Sequence, residues 1–62
     1  MMLSPEEFDL LDSMKIYMYS VSDKTGLHYV FYFGPDERTY IRDLTQEQAQ
    51  GLIDLLKEVR KQ

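Results

Sequence analysis

The chain has no cysteine. That excludes a disulfide framework, a thiolate zinc site and a catalytic thiol together. It has one histidine, His28, so no metal site built on several imidazoles can form. Its three glycines, Gly26, Gly34 and Gly51, are scattered, and none belongs to a glycine-rich phosphate loop. No apolar run reaches the roughly 20 residues of a membrane-spanning helix. The first residues lack the basic stretch and apolar segment of a secretory signal. Basic residues are in deficit, seven Lys and Arg against eleven Asp and Glu, for a formal charge of −4. An acidic balance disfavours non-specific nucleic-acid binding, which depends on neutralising phosphates. It also disfavours an anionic membrane surface. The expectation is a cytoplasmic protein with no cofactor, no metal, no membrane contact and no small-molecule ligand.

Sixty-two residues make a single small α+β domain spanning 1–62. A domain this short buries only about 60% of its unfolded surface and sits near the lower limit of autonomous stability. With disulfides and metals excluded, a partner subunit is the remaining device for stabilising it. A homodimer is therefore expected.

Charge is unevenly placed. Glu6, Glu7, Asp9 and Asp12 carry the whole excess, because residues 13–62 balance seven acids with seven bases. Carboxylates early in a helix are favoured by its dipole. Leu3-Ser4-Pro5-Glu6-Glu7-Phe8 reads as that helix start, with Ser4 as N-cap, Pro5 at N1 and Glu7 at N3 closing a capping box. Leu3 and Phe8 take the positions of a hydrophobic staple, and Phe8, Leu11 and Met14 are expected to share the buried face. A second helix opens at Thr45, with Gln48 completing a second box. Ala49, Leu52, Ile53, Leu56 and Val59 recur at helical spacing, and Leu55 widens the stripe. Gly51 lies opposite that stripe and reads as tolerated drift rather than a close helix approach.

Between the helices lies what the chain has in abundance. Seven of its eight aromatic residues fall between Tyr17 and Tyr40, mostly two apart, which is strand spacing. Lys15–Val21, Leu27–Phe33 and Arg38–Asp43 are the expected strands, divided by Ser22-Asp23-Lys24-Thr25-Gly26 and Gly34-Pro35-Asp36-Glu37 as turns. The architecture expected is a three-stranded antiparallel meander sheet with flanking helices, order α-β-β-β-α, the C-terminal helix packed on one face.

Hairpin register decides which rings share a face. Asp-Lys-Thr-Gly suggests a type I turn with a glycine bulge, pairing Asp23 with Leu27. Tyr19 then opposes Phe31 and Tyr17 opposes Phe33. A four-residue loop at Gly34–Glu37 pairs Phe33 with Arg38, Phe31 with Tyr40 and Tyr29 with Arg42. That register gathers Tyr17, Tyr19, Tyr29, Phe31, Phe33 and Tyr40 with Arg38 and Arg42 on one face. Ile16, Met18, Val30, Tyr32 and Ile41 form the other.

Tyr17, Tyr19, Tyr29, Phe31, Tyr40 and Arg42 are accordingly the candidate partner-binding residues, since Tyr and Arg are enriched at protein–protein hot spots and a contiguous apolar patch marks an interaction site. The expected function is non-catalytic binding to a protein partner, with self-association through the aromatic sheet. Nucleic-acid binding is the alternative, because rings beside arginines on a sheet can stack bases. A third reading makes Glu6, Glu7, Asp9 and Asp12, with Asp36, Glu37 and Asp43, an anionic surface imitating nucleic acid. No enzyme is expected: His28 has no Ser or Cys partner at a recognisable spacing, and the carboxylates follow no calcium-loop pattern.

Overall fold

The computed structural model describes residues 1–34 and 39–62. Five elements follow one another: helix α1 (Pro5–Ser13), strands β1 (Ile16–Asp23), β2 (Gly26–Phe33) and β3 (Tyr40–Leu44), and helix α2 (Gln46–Lys61). The strands pair antiparallel in the order β1-β2-β3, an open meander, so the α+β order α-β-β-β-α stands. The four residues 35–38, and with them the expected turn at Pro35 and the pairing and face of Arg38, lie outside the described residues.

Both helices begin as their sequences direct. Ser4 accepts a hydrogen bond from the Glu7 amide at 3.1 Å while Glu7 accepts one from the Ser4 amide at 2.9 Å. Thr45 and Gln48 repeat the exchange at 3.1 and 2.9 Å. Each box satisfies amides that the first helical turn leaves without partners.

The two helices lie side by side on the same face of the sheet. Leu11, Ala49 and Ile53 from the helices enclose Ile16, Tyr29 and Phe31 from the strands, with Met14, Met18, Phe33, Leu44, Leu52 and Leu56 packed around them. Phe31 and Ile53 are completely buried. Glu7 ties the layer together. Its carboxylate accepts from Gln50 at 3.0 Å and pairs with Lys57 at 3.1 Å, both on α2, while also closing the α1 cap.

The expected buried stripe of α1 needs correction. Leu10 and Leu11 are buried, whereas Phe8 is 58% exposed. Leu3 and Phe8 instead line a groove shared with Ile16, Tyr17 and Met18, beside β1. On α2 the buried stripe is narrower than its spacing implied, because Leu55 and Val59 remain exposed.

The larger correction is the register. The first hairpin turns on two residues, Lys24 and Thr25, with Asp23 opposite Gly26, which takes a φ of +113°. Tyr17 therefore opposes Tyr32, Met18 opposes Phe31 and Tyr19 opposes Val30. The second hairpin is offset as well, pairing Phe31 with Ile41 and Tyr32 with Tyr40. Side chains alternate at period two, so one residue of offset on both sides turns all of β2 over while leaving β1 and β3 facing as expected.

A bulge completes β3. Tyr29 pairs with Leu44 while Phe31 pairs with Ile41, so Arg42 and Asp43 together oppose Val30. Asp43 absorbs the extra residue at a φ of +64°. Without it, the aspartate rather than Leu44 would sit over Tyr29 in the core. Left-handed backbone at Asp costs about 1 kcal/mol, less than burying its unpaired carboxylate.

Candidate functional site

The face of the sheet turned away from the helices carries Tyr17, Tyr19 and Val21 from β1, His28, Val30 and Tyr32 from β2, and Tyr40 and Arg42 from β3. Tyr17, Tyr19 and Tyr40 are 40–50% exposed. Among the described residues no helix buries them, although Tyr17 borders the groove that Leu3, Phe8 and Asp12 line.

Tyr32 is the hub of this surface. Its ring stacks on Tyr17 with centroids 5.0 Å apart and planes 21° from parallel. It meets Tyr19 at 5.9 Å and 55°. Tyr40 is its cross-strand partner on the other side. The row Tyr17–Tyr32–Tyr40 thus crosses all three strands. The Arg42 guanidinium lies 5.5 Å from the centroid of the Tyr40 ring, within cation–π range. Tyr19, Tyr32, Tyr40 and Arg42 line a shallow depression. Val30 sits between the rings and is buried without belonging to the helix-packed core.

Of the six candidate contact residues, Tyr17, Tyr19, Tyr40 and Arg42 share this face. Tyr29 and Phe31 do not. They are in the core, 3% and 0% exposed, because β2 is turned over relative to the expected register. The Tyr29 hydroxyl accepts a hydrogen bond from the Met1 amino group at 3.1 Å, which satisfies it inside the fold. Tyr32 takes the place that Phe31 was expected to hold.

A signal for this was present. Odd residues of β2 are Leu27, Tyr29, Phe31 and Phe33, whereas the even set includes His28. The set with the titratable ring belongs on the uncovered side. The turn residues Asp-Lys-Thr-Gly suggest the opposite facing, but the hairpin closes on Lys24 and Thr25 alone.

At the end of the face, Asp23, Thr25 and His28 meet. The Thr25 hydroxyl and amide both donate to one Asp23 carboxylate oxygen, at 2.6 and 2.8 Å. His28 Nε2 lies 3.2 Å from that same oxygen. The Thr25 hydroxyl bond, then its amide bond, hold the Asp23 carboxyl below the usual range. His28 Nε2 also lies 2.5 Å from the Thr25 hydroxyl, so the three side chains share one set of hydrogen bonds. The cluster pins a two-residue turn. Among the described residues, no group of three or more His, Asp or Glu is placed to hold a metal ion.

The surface holds four phenol hydroxyls, one guanidinium and no carboxylate at its centre. Most of the acids lie on the helix layer, and Glu7, expected in an anionic row, is buried there at 8% exposure. Glu7 is also held far below its ordinary carboxyl value, at about 2. The Ser4 amide contributes most, followed by Gln50 and Lys57. Its negative charge is consumed inside the fold. Asp36 and Glu37, also assigned to that row, lie outside the described residues.

Among the described residues, no helix is long and apolar enough to cross a membrane. No family model, no curated protein and no solved structure matches this chain.

Proposed function

We propose that the chain is a non-catalytic protein-binding module that self-associates and presents the open tyrosine face as its contact surface. One observation carries this reading. Both helices pack on the same side of the sheet, so Tyr17, Tyr19 and Tyr40, with Arg42, are left exposed around the half-buried Tyr32. Rings stacked on one another lose little freedom on binding, and each offers apolar area with a polar tip. Arg42 is oriented by the Tyr40 ring before any partner arrives, which lowers the cost of ordering it. A cysteine-free chain suits the reducing cytosol, where we place it.

Sedimentation across a concentration series tests the self-association. The wild type is expected to run heavier than its 7.4 kDa monomer. Tyr17→Ser/Tyr19→Ser is expected to return the mass toward the monomer with far-ultraviolet circular dichroism unchanged. A wild type that stays monomeric at every concentration overturns it.

A second reading has an observation of its own. Stacked rings beside a guanidinium, with no carboxylate among them, can receive single-stranded bases and a phosphate. Oligonucleotide binding that weakens steeply as salt rises would support this alternative. No shift with single- or double-stranded oligonucleotide at low salt removes it.

A further inference from the structure

The two edges of the sheet differ sharply. β3 is five residues long, bulged, and carries Arg42 and Asp43. Short length, a bulge and charges are the devices that keep an edge from pairing with another chain. β1 is long and unbulged, and its one charge, Asp23, is its last residue. It runs eight residues, and Ile16–Ser22 contains no charge and no proline. Among the described residues, no backbone group from another segment bonds to its outer side.

The hydrogen-bond pattern shows which groups that edge presents. The Gly34 amide donates to the Lys15 carbonyl at 2.7 Å. Lys15 and Gly34 therefore form a hydrogen-bonded pair, and alternation turns the main chain of Tyr17, Tyr19 and Val21 toward β2. The amides and carbonyls of Ile16, Met18, Ser20 and Ser22 point outward.

We propose that a second copy of this chain pairs antiparallel along β1, centred on Tyr19, and extends the sheet across the two subunits. This rests on the self-association read above and names the surface responsible. The argument is complementarity under a two-fold axis. Lys15 and Asp23, the charges that bracket β1, have opposite signs and each stands four residues from Tyr19. Centring there sets Lys15 of each copy beside Asp23 of the other. It also pairs Ile16 with Ser22 and Met18 with Ser20, which are the residues whose main-chain groups point outward. Each such pair exchanges two main-chain hydrogen bonds. The tyrosine faces of the two copies then meet at Tyr19 and form one continuous surface, with all four helices on the opposite side.

Two variants on the helix side of β1 separate this from face-to-face stacking, because neither alters the tyrosine surface. Ser20→Pro removes an outward amide, a change an edge strand tolerates in the monomer. It is expected to keep the monomer's circular dichroism and raise the dimer dissociation constant at least about tenfold. Met18→Cys/Ser20→Cys introduces the chain's only thiols. In the proposed register each Met18 position opposes the Ser20 position of the other copy, at the roughly 5.5 Å Cα separation a disulfide spans. Oxidation is expected to give a covalent dimer on non-reducing gels. If the wild type self-associates while Ser20→Pro retains its affinity and the double-cysteine variant stays monomeric, the edge pairing is wrong and self-association stands. If the wild type is monomeric throughout, both readings fall. Should Ser20→Pro not fold, the crosslink alone decides.

Discussion

Phe31 and Tyr32 are neighbours in the chain, yet one is enclosed completely and the other belongs to a bare surface of rings. The same contrast holds along the whole sheet. One face, with Ile16, Tyr29, Phe31 and Leu44, packs against two helices. The other, with Tyr17, Tyr19, Tyr32 and Tyr40, packs mainly against itself. Ring content does not separate the faces, since both are aromatic. What separates them is the polar end. Four phenol hydroxyls and a guanidinium give the open face something to offer water and a partner, whereas the covered face carries one phenol hydroxyl, on Tyr29, and satisfies it internally. Stability should therefore reside on one side and recognition on the other.

Phe31→Ala is the strongest way to test that division. Removing a fully buried ring costs about 3–5 kcal/mol. A chain of this length has on the order of 3–9 kcal/mol in total. The variant should be largely unfolded at room temperature or melt tens of degrees lower by circular dichroism. A midpoint within a few degrees of wild type would mean the helix-covered face is not the core.

The next effect belongs to the helix layer. Glu7→Gln keeps the capping geometry and removes only the charge facing Gln50 and Lys57. Lys57 is partly exposed, so solvent screens the pair and the expected cost is about 1–2 kcal/mol. The sign follows from a carboxyl lowered from 4.5 to about 2 on folding. The stabilisation is whole above pH 4.5 and fades as pH falls toward 2. Urea midpoints of wild type and variant should therefore differ at pH 7 and converge near pH 2. A difference of the same size at both values would show that the carboxylate's charge is not its source.

How much of this was legible beforehand divides along the same line. Features set by residues close in sequence could be read directly. The capping boxes at Ser4–Glu7 and Thr45–Gln48 needed only a spacing of three. That Tyr17 sides with Tyr19, and Tyr40 with Arg42, needed only alternation, whereas the common facing of the two pairs follows because the two register offsets cancel across β2. The facing of β2 depended on two turns at once. Lys24 and Thr25 make a loop one residue shorter than Asp-Lys-Thr-Gly suggested, and that residue sent Tyr29 and Phe31 inward and Tyr32 outward. Phe8 failed for a related reason. Its place on α1 was clear, but nothing local shows that Leu11 meets the sheet and Leu10 lies toward α2 instead. The Asp43 bulge was likewise invisible, since only the tertiary requirement for Leu44 over Tyr29 explains it.

Gly51 offers a smaller effect with the opposite sign. A Cβ built there meets no atom within 4 Å, so the glycine serves no close approach. Gly51→Ala should stabilise the chain by about 0.5–1 kcal/mol through helix propensity, raising the melting midpoint by several degrees. A fall in the midpoint would reveal a contact on that side of α2.

The smallest effect on folding is expected where recognition is proposed. Tyr40 is 48% exposed, sits on the edge strand and contributes no ring to the core. Tyr40→Ala removes its contact with the Arg42 guanidinium and little else, so stability should change by less than about 0.5 kcal/mol. The informative result is the pairing of this near-null with the collapse expected of Phe31→Ala, one residue of register away on the neighbouring strand. If Tyr40→Ala instead lowers the midpoint by ten degrees or more, the ring surface is structural. The bare face would then be holding its own sheet together, and its tyrosines would not be free to serve a partner.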